Sequence, residues 1–226
     1  MRMLNRLSVV LLASASVVAT PAAATDYLFD ANGAEYTIYF DGFGEDPVVP
    51  IAGLTSNLYL TLVSGIGTNE LTFSYTLTNT STGDNDDSRV TGFAFNSTED
   101  AEGGEADGDL ENLNLGGNYP NGIGDVDACL SNSNGNGCSG PGGATVGDPA
   151  MGTFTMEYGD PVAQLYLGDF WVRYQNTANP SGSATGGDTP PVPEPSTWAM
   201  MLFGFGALGF AMRRRRGKET LRVRYA

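Results

Sequence analysis

The chain predicts an all-β domain, a β-sandwich or jelly-roll, and three observations carry that expectation. The segment "LTFSYTLT" alternates strictly, with Leu71, Phe73, Tyr75 and Leu77 on one face and Thr72, Ser74, Thr76 and Thr78 on the other. Comparable short runs recur along the chain between turn-forming residues. Between those runs there is no 3.6-residue amphipathic pattern, so helices are not expected to cover the sheets.

Residues 1–24 come first and have a different character. Arg2 and Arg6 flank a short start, "LSVVLLASASVV" from Leu7 is an apolar run of signal-peptide length, and Ala22 and Ala24 supply a small-x-small pattern. The expectation is a signal peptide, cut by signal peptidase after Ala24 so that the mature chain starts at Thr25.

The β domain is expected over residues 25–178. Its strand candidates are "YTIYF" from Tyr36, "NLYLTLVS" from Asn57, "LTFSYTLT", "RVTGFAFN" from Arg89, "GTFTMEY" from Gly152, "VAQLYL" from Val162 and "FWVRYQ" from Phe170. These make about seven strands. Between Ser97 and Gly147 the rhythm breaks into a Gly-, Asn- and Asp-rich stretch, read as a long irregular connection. It holds both cysteines, and in an exported protein Cys129 and Cys138 are expected to form a disulfide closing a small loop.

Charge narrows the function. Between Thr25 and Val192 stand 24 acidic residues and two basic ones, Arg89 and Arg173, leaving 22 negative charges. Such a body repels nucleic acid and anionic lipid, so no nucleic-acid partner is expected. The chain has no histidine, which removes Ser-His-Asp and Cys-His catalysis and the commonest nitrogen ligand for a metal. Arg173 is expected in a local salt bridge. The acids fall in segments such as "TEDAEGGEADGDLEN" and "STGDNDDSR", where solvated charge is the default. Calcium is the one cofactor they could serve. However, "DNDDSR" from Asp84 lacks the glycine of an EF-hand loop, and "GGEADGDLE" from Gly103 fits an RTX repeat poorly. Two converging carboxylates would suit glycoside hydrolysis. Exposed aromatics would suit a carbohydrate-binding module, with Trp171 and Tyr119 as candidates.

The C-terminal region reads as linker, then anchor. Residues 179–191 are rich in Pro, Gly, Ser and Thr, a flexible-linker composition. Pro193 and Pro195 flank Glu194 and hold the chain extended. Trp198 to Met212 is an apolar run, about 22 Å long as a helix against a hydrocarbon core of about 30 Å. Snorkelling arginines and the interfacial Trp198 offset part of that shortfall. Arg213, Arg214, Arg215 and Arg216 act as a membrane-stop cluster on the cytoplasmic side, followed by a basic tail at 217–226. The run also contains Gly204, Gly206 and Gly209 in G-x-G-x-x-G spacing, but no strand, βαβ unit or ribose-binding acid accompanies them, so no dinucleotide cofactor is expected.

Taken in order, Pro193-Glu194-Pro195, Trp198-Ala199, the Gly-rich apolar run and the four arginines resemble the PEP-CTERM sorting signal, in its variant with a Trp-Ala pair. The resemblance covers residues 192–216. It implies recognition by exosortase, a membrane-embedded cysteine transpeptidase-like enzyme, and processing near the motif, typically in Gram-negative bacteria that make exopolysaccharide. More loosely, "VTGFAFN", the Cys loop and "FWVRYQ" resemble exported domains of the cistern group. The resulting expectation is a non-enzymatic protein, transiently anchored in the inner membrane and then moved to the cell surface or an exopolysaccharide matrix.

Overall fold

The computed structural model describes residues 26–44, 49–119, 123–133, 137–178, 183–188 and Phe205. The signal-cleavage residues, the sorting motif and the basic cluster lie outside this set, as does all of 198–212 except Phe205.

The domain is all-β. Its strands are β1 (Tyr27–Phe29), β2 (Glu35–Phe43), β3 (Pro50–Ser64), β4 (Thr68–Asn79), β5 (Arg89–Ser97), β6 (Ala101–Gly108), β7 (Asn112–Tyr119), β8 (Gly124–Ser131), β9 (Ala144–Thr145), β10 (Ala150–Val162), β11 (Leu165–Gln175) and β12 (Ser183–Asp188), with a single 3-10 turn at Gly83–Asn85. They form one antiparallel sheet in the order β6-β10-β4-β3-β2-β12-β11-β5-β8-β7, with β1 added to β11 and β9 to β5. The two end strands, β6 and β7, lie side by side without a ladder. A Cβ on Gly104 would meet the Leu113 side chain at 2.7 Å. The sheet therefore nearly closes on itself, as a flattened sandwich-like barrel around one core.

Alternation builds that core as expected. Leu71, Phe73, Tyr75 and Leu77 are buried, while Thr72, Ser74, Thr76 and Thr78 face outward. Aromatic rings join the opposing walls: Phe154 of β10 meets Phe93 and Phe95 of β5 at 6.2 and 5.9 Å, and Phe95 meets Phe170 of β11 at 5.5 Å. One polar link crosses the same interior, between the hydroxyls of Ser56 (β3) and Tyr174 (β11), 2.7 Å apart.

Three expectations need correction. First, "VAQLYL" is not one strand: Val162 ends β10, the chain turns at Ala163 and Gln164, and Leu165 opens a strand that continues through "FWVRYQ". A bulge between Gly168 and Trp171, with Asp169 at φ 47°, breaks the alternation inside β11 and makes it read as two strands. Second, the stretch from Ser97 to Gly147 holds four strands, β6 to β9. The acids and glycines of "AEGGEADG" suit an edge strand, where charge deters pairing with another chain. Third, β12 occupies the middle of the expected linker, bonded to β2 on one side and β11 on the other.

The "SATGGD" composition of β12 suggests a linker, yet small residues are what this position demands. A Cβ on Gly186 would come within 2.6 Å of Val172, 2.8 Å of Tyr174 and 3.2 Å of Phe40, all core side chains. Gly186→Val therefore overpacks the centre of the sheet. It is expected to cost about 1–3 kcal/mol or more, seen as a lowered urea midpoint. An unchanged midpoint would mean that β12 is not held in this position.

Candidate functional site

Three features of the domain could carry chemistry. The first is the outer face of β2, β3, β4 and β10. Tyr39 and Tyr59 are 60% and 40% exposed there. Tyr39 stands opposite Asn57 and Tyr59 opposite Thr37, so the two tyrosines are diagonal neighbours across the β2–β3 ladder. The rows continue from Tyr59 to Thr76 and Met151, and from Asn57 to Thr78. The Tyr59 hydroxyl donates a hydrogen bond to the Glu35 carboxylate. That bond pushes the phenol above its ordinary pKa, opposed by a hydrogen bond with Thr61. Both tyrosines were visible in the alternation of "YTIYF" and "NLYLTLVS", on the polar side of each strand.

The second feature is an acidic cleft of about 420 Å³ lined by Glu99, Asp100, Glu102, Asp160 and Tyr158. Its four carboxylates are exposed. Among the described residues, no three Asp, Glu, Cys or His side chains converge as ligands for a metal ion. The loop once weighed for calcium, from Asp84, turns its acids outward and its amide inward. Asn85 is buried, donating to the Ala52 carbonyl at 3.1 Å and accepting from the Ala178 amide at 2.9 Å.

The third feature is a second apolar cluster on the outside of the sheet, where Cys129 and Cys138 are joined in a disulfide. Phe93 and Phe95 point into the main core, so Ala94 between them faces the other way. It packs with Tyr119, Val126 and the cystine, with Trp171 against them. A Cβ on Gly117 would stand 2.8 Å from the Cys138 sulfur, so the bridge lies directly on β7. The Gly137 carbonyl accepts from Ser131 Oγ and Asn114 Nδ2 at 3.0 and 3.1 Å, seating the loop further. Closing this nine-residue separation stabilises the fold by roughly 3 kcal/mol in the chain-entropy picture.

That cluster corrects the aromatic candidates. Tyr119 is fully buried, so it cannot serve as a surface platform, and Trp171 is half-buried with Phe43 packed edge-on at 6.2 Å. Arg173 is corrected as well: its Nε and Nη1 are buried with no hydrogen-bond partner, as is the Tyr119 hydroxyl. Burial lowers the Arg173 pKa, opposed by the nearby Tyr119 phenol. The other internal cation, Arg89, donates from Nη2 to Gln175 Oε1 at 2.8 Å.

A family model for the PEP-CTERM protein-sorting motif matches residues 191–216, starting three positions after Asp188. The chain carries a PEP-CTERM sorting segment. The PEP-CTERM motif implies exosortase-dependent sorting of an exported protein to the cell surface, and the matched range spans Pro193, Glu194, Pro195 and Trp198. No curated protein and no solved structure matches the chain.

Burial also sets an alkaline limit on the fold. Tyr75 and Tyr158 are both pushed up to about 12, chiefly by burial. Because the folded values exceed the ordinary value of 10.0, the native state retains protons that the unfolded chain has lost. The stabilisation is complete below about pH 10 and falls as pH rises through about 12. A melting temperature that declines across this window, together with late tyrosinate absorbance, is the expected result. Full ionisation of every tyrosine near pH 10 without unfolding would contradict it.

Proposed function

We propose that the protein is a non-enzymatic component of the cell envelope or exopolysaccharide matrix, delivered there by an exosortase-type enzyme. The observation that carries this reading is the PEP-CTERM segment placed directly after the closing strand of a self-contained β domain. In this reading signal peptidase cuts after Ala24, and residues 198–212 with Arg213 to Arg216 hold the chain in the inner membrane until the Trp-Ala variant motif is processed. Two further features favour a structural role over hydrolysis. The acids of the cleft and of β6 are solvent-facing rather than set in a desolvated pair, and the chain has no histidine for Ser-His-Asp or Cys-His chemistry. No cofactor is part of the proposal.

Replacing Pro193, Glu194 and Pro195 together with alanine tests it. Export should persist, because the signal peptide is untouched and the apolar run with its arginines still halts in the membrane. Processing should stop, so that an antibody against residues 217–226 detects uncut protein in the inner membrane, while the unaltered chain loses that epitope only in cells containing the sorting enzyme. Equal processing of the two proteins would reduce the motif to a spacer and overturn the proposal.

A further inference from the structure

The outer face of β2, β3, β4 and β10 presents Tyr39 and Tyr59 among threonines and an asparagine. We infer that this face binds an extended, neutral polysaccharide, with Tyr39 and Tyr59 as the residues on which sugar rings stack. The inference deepens the matrix reading, on which it rests for the presence of a glycan.

Stacking comes first. A pyranose has an apolar face of C–H groups, and an exposed aromatic ring on a rigid sheet covers that face at little cost in conformational entropy. Tyr39 and Tyr59 are the large aromatics most exposed among the described residues of the domain. As diagonal neighbours, their Cα atoms lie about 7–8 Å apart, a spacing that lets one chain cross both rings. The hydrogen bond from Tyr59 to Glu35 fixes the ring before any ligand arrives.

Polar groups complete the platform. Thr37, Asn57, Thr76 and Thr78 neighbour the two tyrosines in the ladders and present hydroxyls and an amide that can both donate and accept. Sugar hydroxyls need such partners, because a polar group desolvated without one costs stability.

Charge then selects among glycans. The domain carries 22 excess negative charges, and its two cations, Arg89 on β5 and Arg173 on β11, are both half-buried. The charged side chains on β2 beside the tyrosines are Glu35 and Asp41, both exposed. A uronate-bearing or sulfated chain is repelled by this field. A neutral chain is not, and its hydroxyls can donate to the same carboxylates.

The test uses the full chain, purified in a detergent without a sugar headgroup, in affinity electrophoresis through gels containing hydroxyethylcellulose, dextran, mannan or galactomannan, with carboxymethylcellulose as the anionic counterpart. At least one neutral polymer should retard the protein, and carboxymethylcellulose should not. Tyr39→Ala and Tyr59→Ala should each weaken binding about tenfold, the equivalent of one stacked ring, while circular dichroism shows the fold retained and the melting temperature falls only by the small amount that lost cross-strand contacts such as Tyr59 with Glu35 supply. No retardation by any neutral polymer overturns the inference, as does equal retardation by carboxymethylcellulose or insensitivity to both substitutions. A concentration-dependent dimer in sedimentation that the same substitutions dissolve would also overturn it, by assigning the face to a second copy of this chain. The triple alanine variant of the sorting motif should bind like the unaltered protein, so failure of binding and failure of sorting remain separate results.

Discussion

The pairing of β12 between β2 and β11 is the constraint on which the rest of the structure depends. Its ladders to β2 and β11 are what join the half of the sheet containing β6, β10, β4, β3 and β2 to the half containing β11, β5, β8 and β7. Without it, Phe40 on β2 and Val172 and Tyr174 on β11 would face each other across an open seam, and two long strands would expose unpaired backbone. The strand brings little apolar surface of its own. Ala184 is buried, while Gly186 contributes only backbone between larger neighbours, so β12 is held mainly by its two rows of hydrogen bonds. The bond from Ser56 to Tyr174 supports the same junction from inside, linking β3 to β11 across the core.

That arrangement explains why part of the fold was legible in the sequence and part was not. Strands with one buried and one solvated face betray themselves by alternation. The "LTFSYTLT" of β4 and the "YTIYF" of β2 were readable for that reason, and so was the all-β class. Strands whose place depends on absent side chains carry no such signal. β12 reads as a linker because its glycines are fitted to neighbouring side chains rather than to water, and β6 reads as a loop because its acids belong to an edge. β11 conceals its length behind a bulge at Asp169. In each case a tertiary requirement, close approach or edge protection, overrides local propensity.

The candidate sites divide along the same line. The sorting segment is a linear signal, read by an enzyme as extended chain, so composition and order suffice to find it. The disulfide was legible from compartment and cysteine count. Surface platforms are not linear. Tyr119 and Trp171 were singled out as aromatics, yet the second apolar cluster around Cys129 and Cys138 buries the first and half-covers the second. Tyr39 and Tyr59 belong to different strands, and only the β2–β3 register brings them together. The acids show the opposite case: abundant in the sequence, they are spread over β6, the Asp84 turn and the cleft around Tyr158.

The position of β12 sets how much chain lies between the sheet and the sorting motif. Asp188 is the last residue of the sheet and Pro193 is five positions further on, a reach of at most about 18 Å. The covalent reach from the sheet to the motif is therefore shorter than the expected linker over 179–191 would have given. β12 is also the last strand in chain order, so the ladders that link β2 to β11 are supplied by the end of the domain sequence. Those ladders complete the backbone pairing between the two halves of the sheet. The small residues of β12 suit its place between these ladders, because bulky side chains there would clash with the core packing around Phe40, Val172 and Tyr174.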